Sequence, residues 1–233
     1  MLQAKNLTIG YSDAIAHAEE IIIHSGDFIA LVGRNGSGKS TLIHTLSGKI
    51  PPLNGLISLD GKDLSSYTAS QLACKIAWVN ARFLGVPHLT VLDYVLLGRT
   101  PYLGWLGNPT TEDRMAAQKA LDFVSAGHLK DDQTTSLSDG ERQLVSIARA
   151  LAQETPYLFL DEPTAFLDFF HRKNVLALLK EIAQVKKIGI ILSTHELDLV
   201  VNLNLPLILV SKEGTILHHP SIANRQALEN LLS

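Results

Sequence analysis

The run Phe28-Ile29-Ala30-Leu31-Val32, followed at once by Gly33-Arg34-Asn35-Gly36-Ser37-Gly38-Lys39-Ser40, decides how this chain is read. The first five residues form an unbroken apolar stretch of strand length. The next eight fit G-x-x-x-x-G-K-[ST], and the helix-compatible Thr41-Leu42-Ile43-His44-Thr45-Leu46 follows. Strand, glycine-rich loop and helix in that order make a phosphate cradle. Glycines at 33, 36 and 38 allow tight, partly left-handed turns, so successive N–H groups point inward at the mouth of the helix. The expected contacts run through Gly33, Asn35, Gly36, Ser37, Gly38, Lys39, Ser40 and Thr41. Lys39 is expected to reach the β- and γ-phosphates of a nucleoside triphosphate, and the Ser40 hydroxyl to ligate Mg²⁺.

Bulk properties narrow the classes. With 233 residues the chain can bury one α/β core and carry an inserted subdomain; 46% hydrophobic and 18% charged residues are ordinary for a globular protein. A net charge of −3 offers no basic stripe, so no nucleic-acid partner is expected. Cys74 is the only cysteine, which excludes an intrachain disulfide and suits a reducing compartment. The most apolar stretch, Leu197 to Val210, is broken by Asp198, Asn202, Asn204 and Pro206, so no segment is expected to span a membrane. A membrane partner stays open.

Alternation in Leu7-Thr8-Ile9-Gly10-Tyr11, and Ile21-Ile22-Ile23 ahead of Ser25-Gly26-Asp27, predicts an antiparallel β start. Unbroken apolar runs recur at Tyr157 to Leu160 and Ile188 to Leu192, as a parallel sheet covered on both faces requires. Between them the pattern turns helical: Val91 to Leu97, then Glu112 to Val124 opened by Thr111, then a helix after Ser138 with Leu144, Ile147, Ala148 and Leu151 on one face. The expectation is a single domain: an α/β core of about residues 1–81 and 151–233, with a helical subdomain inserted at about 82–150. A hairpin from Leu207 to Leu217 and a last short helix close the chain.

Tyr157 to Leu160 delivers Asp161-Glu162 to the strand's C-terminal end, where open parallel sheets place their ligands. Asp161 is expected to hold Mg²⁺, and Glu162 to polarise the attacking water as a general base. The strand ending Ser193-Thr194-His195 puts His195 at the same edge, as a γ-phosphate contact or as an ordinary surface or capping residue.

Leu137-Ser138-Asp139-Gly140-Glu141-Arg142-Gln143 resembles the LSGGQ signature of the ATP-binding cassette (ABC) ATPases. The resemblance covers nearly the whole chain, with motifs in the family's order: Tyr11 as the adenine-stacking aromatic, the phosphate loop, the signature, and the Asp161-Glu162 strand. Ala165-Phe166-Leu167-Asp168 is similar to the dimer-contact loop and His195 to the switch histidine. The family implies a P-loop NTPase (RecA-like) core with an antiparallel β subdomain and a helical subdomain, and a homodimer that sandwiches two ATP molecules. In it, Ser138 and Gly140 of one copy touch the γ-phosphate held by the other. A plain N-cap role for Ser138 is compatible with this.

The chain departs from the family twice. Asn80, after Ala77-Trp78-Val79, stands where the family has a glutamine that reaches Mg²⁺ and the attacking water; one methylene shorter, it is expected to slow hydrolysis. Asp139 replaces a glycine and brings a carboxylate toward a phosphate unless it is paired, for which Arg142 is placed. The segment Leu96-Leu97-Gly98-Arg99-Thr100-Pro101-Tyr102, followed by Leu103-Gly104-Trp105-Leu106-Gly107, resembles the ATPases of importers for iron-siderophore, haem and vitamin B12 complexes. That resemblance implies a membrane permease, a substrate-binding protein acting through it, and a place on the inner face of the cell membrane. Arg99, Tyr102 and Trp105 then form an exposed permease contact, or Tyr102 and Trp105 fill the small helical core. A soluble ABC ATPase acting on a protein assembly is the alternative.

Overall fold

Every residue from Phe28 to Gly33 is buried, and the side chains of this strand go alternately to two different cores. In the computed structural model, which describes residues 1–104, 107–222 and 224–232, the elements run in this order. They are β1 (Leu2–Gly10), β2 (Ala14–Ile23), β3 (Phe28–Gly33), α1 (Lys39–Leu46), β4 (Asn54–Leu59), β5 (Lys62–Asp63), α2 (Ala69–Ala73), β6 (Ile76–Val79) and α3 (Val91–Leu96). There follow α4 (Thr111–Phe123), α5 (Asp139–Ala152), β7 (Tyr157–Asp161), α6 (Phe169–Lys186), β8 (Gly189–Thr194), α7 (Leu197–Asn202), β9 (Leu207–Val210), β10 (Ile216–His219) and α8 (Arg225–Leu232).

Two sheets are formed. One is antiparallel, in the order β2-β1-β4-β5; the other is ordered β10-β9-β3-β8-β7-β6, parallel except for β10. Period-two alternation explains the apolar runs. Phe28, Ala30, Val32, Leu158, Leu160, Ile190 and Leu192 face a core shared with the helices, whereas Ile29, Leu31, Tyr157, Phe159 and Ile191 face one shared with α1 and the antiparallel sheet. Both faces are covered, so no polar alternation is needed. The structure also contains what the sequence patterns did not reveal: the β4–β5 hairpin and the 18-residue helix α6, N-capped by Asp168. Helix α4 is capped by Thr110 rather than opened by Thr111, because the Thr110–Asp113 capping box fixes the start one residue earlier.

Arg99 corrects an expectation. It is 8% exposed, not a surface arginine. Its Nε donates to Asp113 Oδ1 at 2.9 Å, and its Nη1 to the Ala152 carbonyl and Glu154 Oε2, both at 2.7 Å. Buried guanidinium is stable only with such a full set of acceptors, so Arg99 ties α4 to the end of α5 instead of meeting a permease. The Tyr102 hydroxyl donates to the Gln153 carbonyl at 2.7 Å, and its ring lies under the Arg99 guanidinium at 4.3 Å. Trp105 lies outside the described residues. The same 3-10 segment, Leu97–Tyr102, sets Gly98 so close to α5 that an added Cβ would meet the Arg149 carbonyl at 2.1 Å. Gly98→Ala is therefore expected to destabilise the protein by about 2 kcal/mol, or roughly 6 °C in melting temperature, measured by calorimetry.

Candidate active site

Strand order assembles the site. β6, β7, β8 and β3 are successive neighbours, and Val79 pairs with Leu160, Asp161 with Ser193 and Val32 with Thr194. Their C-terminal ends thus carry Asn80, Asp161-Glu162, His195 and Gly33 to one edge, across three spacings of about 5 Å each.

The phosphate loop leaves β3 at the buried Gly33 and passes through the exposed Asn35 to Gly36 and Gly38, at φ +78° and +103°. Side chains rarely adopt the Gly38 conformation, and here Ile15 and Ile9 also press on that glycine. Those contacts seat the β1–β2 turn, which carries the exposed Tyr11, beside the loop. Helix α1 begins at Lys39 with no side-chain cap, so its first N–H groups are unclaimed by the chain's own side chains. Ser37 Oγ is buried without a hydrogen-bond partner. An orphan hydroxyl and an uncapped helix mouth on one glycine cradle fit an anionic, oxygen-rich ligand. Lys39 Nζ donates to the loop carbonyls of Gly33 at 3.0 Å and Arg34 at 3.1 Å. Burial pulls its pKa down, and the carboxylates of Glu162 and Asp161 oppose that shift. Ser40 is exposed at the helix start and Thr41 buried behind it.

One hydroxyl organises the two acids. Ser193, fully buried on β8, accepts the Glu162 N–H at 2.8 Å and donates to Asp161 Oδ1 at 2.6 Å. Glu162 has φ +47°, an uncommon conformation for a residue with a side chain, and the Ser193 bond holds it there. Asp161 Oδ2 has no hydrogen-bond partner among the described residues. His195 Nδ1 lies 3.5 Å from Glu162 Oε1, and its ring is half exposed. Ser193 was not singled out from the sequence as a site residue; its place two residues before His195 on a strand beside β7 was the available signal.

The signature region stands apart. Among the described residues no hydrogen bond or ion pair joins residues 138–142 to the phosphate loop. Ser138 is the N-cap of α5: its Oγ accepts the Glu141 N–H at 3.3 Å and donates to Glu141 Oε2 at 2.7 Å. The Ser138 hydroxyl and the Ser138 backbone N–H, both donating to Glu141 Oε2, hold the Glu141 carboxyl below its usual range. The S-x-x-E spacing announced that capping box. Arg142 pairs with Asp139 at 3.2 Å and also donates to the Thr135 carbonyl, the partnership expected for the extra carboxylate. Gly140 is buried, with the His171 ring against it and Asp168 Oδ2 2.7 Å from His171 Nδ1. Asn80 is exposed, and its amide oxygen accepts the Trp78 indole N–H at 2.6 Å. Clefts of about 600 Å³ beside Lys119 and Lys186, and about 490 Å³ beside Lys49 and Trp78, contain no phosphate-loop residue. The loop forms an open edge at which Arg34, Asn35, Gly36 and Ser40 are exposed.

Residues 18–165 match the family model described as ABC transporter. The chain belongs to the ABC transporter family. It is 35% identical over 198 residues to the ferric enterobactin transport ATP-binding protein FepC of Escherichia coli, covering 84% of this chain and 73% of that one. It is also 35% identical over 192 residues to the molybdate import ATP-binding protein MolC of Haemophilus influenzae, covering 82% and 71%. Among solved structures it is similar to a metal-chelate type ABC transporter in an inward-facing conformation, at TM-score 0.84 and 32% identity over 99% of this chain and 88% of that one. It is similar as well to a dimeric ATP-binding cassette in a post-hydrolysis state with ADP and Pi, at TM-score 0.77 and 25% identity over 94% and 98%. The protein is an ABC ATPase with the cassette fold. No helix among the described residues is long and apolar enough to cross a membrane.

Within this ABC ATPase, Ser193→Ala removes the hydroxyl that seats both acids and leaves a partly buried carboxyl and N–H short of a partner. We expect the ATP hydrolysis rate to fall roughly tenfold while ATP affinity changes less than about twofold, measured by phosphate release and nucleotide titration.

Proposed function

We propose that this chain is the ATP-hydrolysing subunit of an importer for metal chelates of the iron-siderophore, haem or cobalamin type, working as a homodimer beneath a membrane permease on the inner face of the cell membrane. The carrying observation is the single edge on which the phosphate loop, Asp161-Glu162 and His195 converge. Loop N–H groups and Lys39 hold the phosphates, with Tyr11 against the adenine. The oxygen donors of Ser40, Asp161 and the Asn80 amide are the hard ligands that Mg²⁺ takes. When bound there, Mg²⁺ neutralises charge on the β- and γ-phosphates. Glu162, fixed by Ser193 and facing His195, accepts a proton from the attacking water. His195 contacts the γ-phosphate.

An open edge needs a lid, and a second copy supplies it. Ser138 and the Gly140 N–H of that copy, at the start of its α5, meet the γ-phosphate. Glu162→Gln leaves binding intact and removes the base, so ATP is expected to trap a dimer of twice the monomer mass by light scattering; a variant that stays monomeric overturns the scheme. The chelate assignment leans on the Gly98 to Gly107 sequence segment and on the relative named for ferric enterobactin transport; the molybdate relative marks the competing cargo class. The test is to isolate the chain from detergent-solubilised membranes of its own cell without ATP and identify its companions by mass spectrometry. A polytopic permease is the expected companion. A soluble assembly with no membrane protein would leave only the ATPase.

A further inference from the structure

We infer that Trp78 is a positioning residue that engages the Asn80 amide oxygen, on the face of the sheet that α1 covers, until the two copies close. Asn80 has one acceptor oxygen, and the indole of Trp78 is a donor only. Their 2.6 Å separation is at the short end for N–H···O, and the i, i+2 spacing at the end of an extended strand puts both side chains on one side. While that bond stands, the amide oxygen is engaged by a side chain of its own strand.

What holds the tryptophan makes the bond responsive. Lys49 Nζ sits 3.4 Å from the Trp78 ring centroid, and the His44 ring packs against it at 4.9 Å, tilted by 37°. His44 belongs to α1 and Lys49 follows it, so the ring rests on the helix whose first residues are Lys39 and Ser40. Beside the same cleft, Arg149 Nη2 donates to the Trp78 carbonyl. Arg149 lies in the last turn of α5, the helix that Ser138 opens. Trp78 is thus the point at which the helix behind the phosphate loop, the signature helix and Asn80 meet. A displacement of α1 by nucleotide, or of α5 by the second copy, moves the donor that engages Asn80. The bond restrains turnover in the absence of the permease and yields on closure; this rests on the reading of Asn80 as a site residue.

The test uses the full chain with Mg²⁺ and ATP. Trp78→Phe keeps the ring and removes the donor, and is expected to raise permease-free kcat about fivefold, the factor an ordinary net hydrogen bond is worth, with KM for ATP unchanged. In an Asn80→Ala background the same substitution is expected to give no gain. A second readout needs no turnover. With Trp105→Phe making Trp78 the single indole, Asn80→Ala should shift its fluorescence emission, and ATP with Mg²⁺ added to a Glu162→Gln chain should shift it in the same direction. A Trp78→Phe rate at or below that of the native chain, or emission that ignores ATP, overturns the restraint while leaving Asn80 in the site. A gain from Trp78→Phe that persists in the Asn80→Ala background overturns the assignment of Asn80, and the restraint with it.

Discussion

The parallel pairing of β3, β8, β7 and β6 is the constraint on which the rest depends. Parallel strands share a direction, so all four C-terminal ends, and the loops that follow them, appear on one edge. The chain needs separate crossovers to achieve this, and the helical segment from Val91 to Ala152 is part of one of them, between β6 and β7. Register does the fine placement: a shift of one residue between β7 and β8 would separate Ser193 from Asp161 and release Glu162 from its uncommon conformation.

Electrostatics on that edge are balanced within the chain. Lys39 loses hydration on burial but is partnered by two loop carbonyls and by the field of Asp161 and Glu162. The arrangement keeps a buried cation where an anion is to bind, and keeps two carboxylates near it without direct contact between them being required. Glu141 shows the same economy at the signature helix, where its carboxylate satisfies Ser138 and the helix dipole together.

Much of this was legible in the sequence because it follows from local rules. Phe28 to Val32 is apolar at every position because two cores cover it, and the glycines at 36 and 38 sit where the backbone needs positive φ. Asp161-Glu162 and His195 could be placed because strand ends are readable from apolar runs. What escaped reading depends on contacts distant in sequence. Arg99 looks like a surface arginine until Asp113 and Glu154, 14 and 55 residues away, surround it. Ser193 acts across 31 and 32 residues, and the β4–β5 hairpin is stabilised by its pairing with β1. The Trp78–Asn80 bond is local, but its meaning comes from Lys49, His44 and Arg149, which no spacing in the sequence assembles.

Gly140 and His171 bear on how such a chain can change over generations. A Cβ at position 140 would lie 2.4 Å from the imidazole, and that imidazole is anchored by Asp168 at the start of α6. The constraint runs one way: a larger residue at 140 requires a smaller or relocated one at 171, whereas 171 can shrink alone, because its exposed pairing with Asp168 contributes little and Asp168 keeps its backbone N–H partners at the start of α6.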